Sequence, residues 1–176
     1  NKDHGATALK DYVHFGRAAR QQLYEAARAQ GLNMVAETAV DPPMNMTMLL
    51  DGVTGLEHTI GLTPLQDDVV RLWAASGAGN TPTLIVSYNG PAGETVFRQG
   101  ERLWDDPKVL HFFRRDAMLA GRRPTHYFED DIYAVDMAAE LRKLAAAGVS
   151  LHGSGHGQQH GLDKHWELEL FVKGGF

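Results

Sequence analysis

The 176 residues contain no cysteine, which excludes a disulfide frame, a zinc ribbon and a thiol nucleophile. Any metal site must therefore be built from imidazole, carboxylate or a modified side chain. No apolar run approaches the roughly 18 residues of a spanning helix, and no signal-like segment opens the chain. Basic charge is not in excess: 17 Lys and Arg stand against 22 Asp and Glu, a formal charge of −5. That balance gives no field for holding nucleic acid or an anionic membrane. No GxGxxG follows the first predicted strand and no GxxxxGK[ST] occurs, which disfavours a nucleotide-binding α/β domain. The first residue is Asn1, and the natural N-terminus is expected upstream.

What is present is an alternation. Ala6 to Val13 (ATALKDYV) predicts a short strand, followed by RAARQQLYEAARAQG, where Ala18, Leu23, Ala26 and Ala27 form a helical apolar stripe ended by Gly31. NMVAETAV predicts a second strand, and Pro42 and Pro43 break the chain before a short Met/Leu-rich helix. GLEHTIG predicts a strand ending in His58, and LTPLQDDVVRLWAASGAG a helix with Thr63 as N-cap and Pro64 as its first residue. TPTLIVSY, apolar without alternation, predicts a strand covered on both faces. Asn89 to about Asp130 breaks the pattern and predicts a long excursion with one short helix near Lys108 to Leu119. DIYAVDMAAELRKLAAAG predicts a helix closed by Gly148, GVSLHGSGHG a strand and a Gly/His-rich loop, and LDKHWELELFVKGG a last helix.

This order defines an α/β protein with parallel strands in roughly five βα units. A complete (β/α)8 barrel takes about 250 residues, so the expectation is a partial TIM barrel, roughly strands 4 to 8, spanning residues 1–176. In such a barrel the chemistry collects where strands run out into their following loops. Those positions hold Lys10, Glu37, His58 and His156, with His152 just inside the last strand. Each has an ordinary structural alternative: a solvated lysine, a turn-capping carboxylate, a core histidine bonded to a carbonyl. Together, a carboxylate, two imidazoles and a lysine converging on one point would suit Zn²⁺ or another borderline divalent ion. An ammonium cannot ligate, but a neutral lysine amine that has taken up carbon dioxide as a carbamate can.

ALKDY, GLEHTIG, TPTLIVSYNGPAGE, the DDPKVLHFFRRD run and above all GHGQQHGLDKHWELELFVKGGF resemble the C-terminal half of an amidohydrolase-superfamily domain. The likeness is to relatives of imidazolonepropionase-like and dipeptidase-like enzymes that carry an N-terminal TolB-like β-propeller, and it covers essentially the whole chain. It implies a barrel holding one or two divalent metals, whose usual ligands are an HxH pair on the first strand, Lys or Glu on the fourth, His on the fifth and sixth, and Asp on the eighth. Lys10 matches the fourth-strand lysine and His58 the sixth-strand histidine. Glu37 stands where the fifth-strand His is expected, and His156 where the eighth-strand Asp, normally ligand and general base, is expected. No HxH pair of a first strand is present.

The resemblance implies a metal-dependent hydrolase of cyclic amide or peptide-like C–N bonds, with Lys10, Glu37, His58 and His156 as metal ligands, a carboxylated Lys10, and His156 as base. Tyr88, His160, Arg114 and Arg115 are the expected contacts to a small-molecule substrate. In the excursion Trp104, Phe112 and Phe113 serve equally as anchors of a surface loop, with the arginines solvated. The expected partners are the missing N-terminal half of the barrel and further copies of the chain, since an open sheet favours association. Relatives with propellers are often exported in bacteria. The alternative is a noncatalytic binding or scaffold domain whose metal site has degenerated.

Overall fold

The structure is a computed structural model that describes residues 2–12, 16–39, 41–86, 90–122 and 125–176, with the Glu129 side chain excepted. Its centre is a four-stranded parallel sheet of β1 (Ala8–Asp11), β2 (Asn33–Glu37), β3 (Gly55–Glu57) and β4 (Gly79–Thr81), each strand lying beside the next in the sequence. Parallel neighbours need crossovers, and these are α1 (Arg17–Ala29), α2 (Pro42–Asp51) and α3 (Asp67–Ser76). After β4 come three short helices, α4 (Thr95–Gly100), α5 (Pro107–Phe112) and α6 (Arg115–Ala120), then α7 (Ala134–Ala146) and α8 (Leu162–Lys173).

Local sequence explains these elements. In α1, Arg20, Tyr24 and Ala27 recur at helical spacing and form its buried stripe. Arg20 is buried because its guanidinium meets the Asp51 carboxylate of α2 at 2.7 Å and the Thr47 hydroxyl at 2.7 Å. Pro42 opens α2, where a missing N–H costs nothing, and Gly52 ends it at φ 93°, a left-handed cap that suits glycine.

The sheet has unlike faces. Met34, Ala36, Leu56 and Asn80 point to the helices and are at most 2% exposed. The alternate residues, Lys10, Val35, Glu37, Gly55, Glu57, Gly79 and Thr81, remain accessible. Register aligns them in rows: Lys10 lies beside Val35, Val35 beside Gly55 and Gly55 beside Gly79, while Glu37 lies beside Glu57 and Glu57 beside Thr81.

Four expectations change. Among the described residues of TPTLIVSY only Thr81 belongs to a strand: β4 stops there, Thr83 takes a positive φ of 46°, and Leu84–Val86 form a 3₁₀ turn. Its apolarity reflects burial of Leu84 and Ile85, not extension. The strand expected in GVSLHGSGHG is reduced to one parallel bridge, Asn80 to Leu151. The third helix starts at Asp67, not Pro64, and in the segment before it the backbone N–H of Leu65 donates to Glu140 of α7 at 2.7 Å. The excursion contains three short helices where one was expected, and Val109 and Met118 anchor it while Phe112 stays 80% exposed. Phe97 of α4 stacks on Trp166 of α8 with ring centres 5.1 Å apart, fixing the excursion to the last helix.

Candidate functional site

At the C-terminal ends of the strands a cavity of about 280 Å³ is lined by Lys10, Glu37, Glu57, His58, Thr83 and His156, among others. Lys10 and Glu37 get there by strand alternation, at the open-face positions of β1 and β2. His58 follows β3 and has a φ of 70°, in the left-handed region that residues with a side chain seldom occupy. It is held there from both sides of its backbone. Its N–H donates to the Thr81 carbonyl at 2.7 Å, and its carbonyl accepts from the buried Asn80 amide at 2.9 Å. Strain of this kind persists only where surrounding bonds over-determine the backbone.

The side chains form a chain of contacts. Lys10 Nζ lies 3.1 Å from Glu37 Oε2, and His58 Nε2 lies 3.0 Å from Glu37 Oε1. His58 Nδ1 meets the Thr83 hydroxyl. That hydroxyl also lies 2.8 Å from the Pro82 carbonyl. The Glu37 carboxylate can only accept, so a hydrogen on Nε2 points to it, and it is this hydrogen that a metal ion would displace. Burial pushes the His58 pKa below its usual value, against the opposing pull of Glu37, with His156 and Lys10 also lowering it. A neutral imidazole is the form that ligates metals. The His156 ring centre is 5.2 Å from that of His58, and its Nδ1 lies 2.8 Å from the amide nitrogen and 3.1 Å from the amide oxygen of Gln158.

The donor types fit a borderline divalent ion, and Glu37 Oε2 is a buried oxygen that makes no hydrogen bond of good geometry despite its ion pair with Lys10. The set is nevertheless sparse. Among the described residues no three His, Cys, Asp or Glu side chains stand close enough together to hold an ion unaided.

The other expected contacts fall elsewhere. Arg114 pairs with Asp116 and Arg115 with Asp105, and both line a shallow surface depression beside Leu110–Phe113. His160 is exposed in the turn before α8, and Tyr88 lies outside the described residues. A larger cavity, about 470 Å³, is lined by Val96, Gln99, His126, Asp130, Asp136 and Lys173, away from the strand ends. Sequence reasoning passed over Glu57 and Thr83. Glu57 shares the open-face parity of Glu37, a signal available in LEH; Thr83 had none, because it acts through a turn the sequence reads as strand.

No described helix is long and apolar enough to cross a membrane. No family model matches the chain, and no curated protein or solved structure matches it either.

Proposed function

We propose that the chain is part of a metal-dependent amidohydrolase, contributing strands of a (β/α)8 barrel and one side of a site that hydrolyses cyclic amide or peptide-like C–N bonds. The observation that carries this reading is the meeting of Lys10, Glu37, His58 and His156, drawn from positions up to 146 residues apart in the sequence, around one cavity at the C-terminal ends of parallel strands. The uncovered sheet face supports it as well: parallel sheets are normally covered on both faces, and a row of Gly55, Gly79 and Val35 suits the packed interior of a closed barrel.

Glu37 and His58 would supply ligands to the ion, Zn²⁺ by donor type, with Lys10 as a carbamate and further ligands from the upstream strands. Bound there, a divalent ion supplies Lewis acidity and a water of lowered pKa. The chain's own residues do the rest. Thr83 holds the His58 ring at Nδ1 while Nε2 faces Glu37 and the cavity. His156, exposed at the cavity with its Nδ1 beside the Gln158 amide, has Nε2 left to serve either as a further ligand or as the general base. Lys10, while an ammonium, neutralises Glu37.

A second reading, a noncatalytic binding domain with a degenerate metal site, is favoured by one feature. The Lys10 ammonium already partners the carboxylate that would bind the ion. Zinc titration by calorimetry, on the chain alone and joined to an upstream half-barrel, separates the two. The hydrolase reading expects stoichiometric binding in the completed protein, lost in His58→Ala and Glu37→Gln; no binding in the completed protein rejects it.

A further inference from the structure

The last helix carries two buried carboxylates one turn apart, Asp163 at 1% and Glu167 at 0% exposure. Neither reaches the cavity. Both hold backbone. Asp163 Oδ2 accepts from the N–H groups of Gly157 at 2.9 Å and Gln159 at 3.0 Å, on either side of Gln158 and directly after His156. The neighbouring Lys164 ammonium donates to the Gly153 carbonyl, and Gly155 approaches so closely that an added Cβ would lie 2.8 Å from the Asp163 Cβ. Glu167 Oε2 accepts from the N–H of Ile85 at 3.2 Å, and the carboxylate also faces the N–H groups of Thr83 and Leu84. Those groups open the Leu84–Val86 turn, where N–H donors have no partner within a helical turn. Immediately before it stands Thr83, at positive φ, whose hydroxyl meets His58 Nδ1.

We propose that Asp163 and Glu167 are a pair of positioning residues, one for each imidazole of the site: Asp163 fixes the loop that aims His156, and Glu167 fixes the turn through which Thr83 sets the tautomer of His58. The division is geometric, because successive turns of a single helix face present the carboxylates to two loops about seventy residues apart in sequence. The pair places the imidazoles of the site proposed above, yet its geometry needs no metal.

The test is nitrogen-15 NMR of the histidine rings in the folded 176-residue chain with no metal added. Glu167→Ala should change the tautomer balance of His58 and leave the His156 signals in place. Glu167→Gln, which keeps one acceptor oxygen for Ile85, should give a smaller change of the same kind and serves if the alanine variant fails to fold. Thr83→Val, which leaves α8 intact, should reproduce the His58 change. Asp163→Asn should shift His156 and spare His58. Variants that move both rings alike, or neither, overturn the proposal. A wild-type chain that binds no zinc in completed form but shows this crossed pattern would remove the hydrolase reading and leave the positioning roles standing.

Discussion

Leu56 and Glu57 are adjacent in β3 and live in different surroundings. Leu56 faces the helices with Met34, Ala36 and Asn80, without accessible surface, whereas Glu57 faces the open side with Lys10, Glu37 and Thr81. The covered face carries the apolar burial that holds the sheet to α1, α2 and α3. The open face carries Lys10, Glu37 and Glu57, while on the covered face the ionisable Asp11 is buried and accepts from the Tyr24 hydroxyl of α1 at 3.2 Å. The two-residue period of a strand thus separates the packed side chains from the accessible ones.

The comparison is broken most directly by Leu56→Ala, which should destabilise by roughly 2–5 kcal/mol through lost burial and the cavity left behind, read as a lower midpoint in urea unfolding. An effect no larger than that of its open-face neighbours would mean the helices do not bind the sheet as described. Next in size is a pH effect from the covered side. Burial among apolar groups pushes Glu167 up to about 7 from an ordinary 4.5, its bonds to the 83–85 backbone opposing the shift. The folded chain then keeps a proton that the unfolded chain has lost between those values. Stability from this group is full below pH 4.5, declines as pH rises and is gone above about 7, a loss on the order of 3 kcal/mol. Glu167→Gln should flatten that slope in denaturant unfolding measured from pH 4.5 to 8, although it disturbs His58.

Smaller effects sharpen the contrast from the open side. Lys10→Met removes a partly exposed ion pair with Glu37 and should cost at most about 1 kcal/mol; a larger loss in thermal unfolding would make Lys10 a structural residue. Glu57→Gln, beside the cavity, should stay within about 0.5 kcal/mol of wild type in the same measurement.

The order of strands and helices was legible mainly from Gly and Pro boundaries, such as Gly31 after α1 and Pro42 before α2; the stripe read in α1 was correct only in part, since Ala18 and Ala26 are exposed while Arg20 and Tyr24 are buried. Lys10, Glu37 and His58 were legible as polar residues ending apolar strands. The run TPTLIVSY was not, since continuous apolarity reports burial and is silent on whether the backbone is extended or turned. The parts played by Asn80, Asp163 and Glu167 were equally hidden. They bond to main-chain groups, and which main-chain groups meet a given side chain is decided by tertiary packing, not by neighbours in the sequence. The excursion was recognised as irregular, but its anchoring by Phe97 against Trp166 required the position of α8.

The grip of α8 on both loops also bears on the order of events at the ribosome. The sheet strands and their crossovers emerge early and can pair while synthesis continues, but the clamps on the turn after β4 and on the His156 loop belong to the last helix made among the described elements. A nascent chain halted before Leu162 would possess the four strands and lack both clamps, so these two loops take up their places only once α8 has been made.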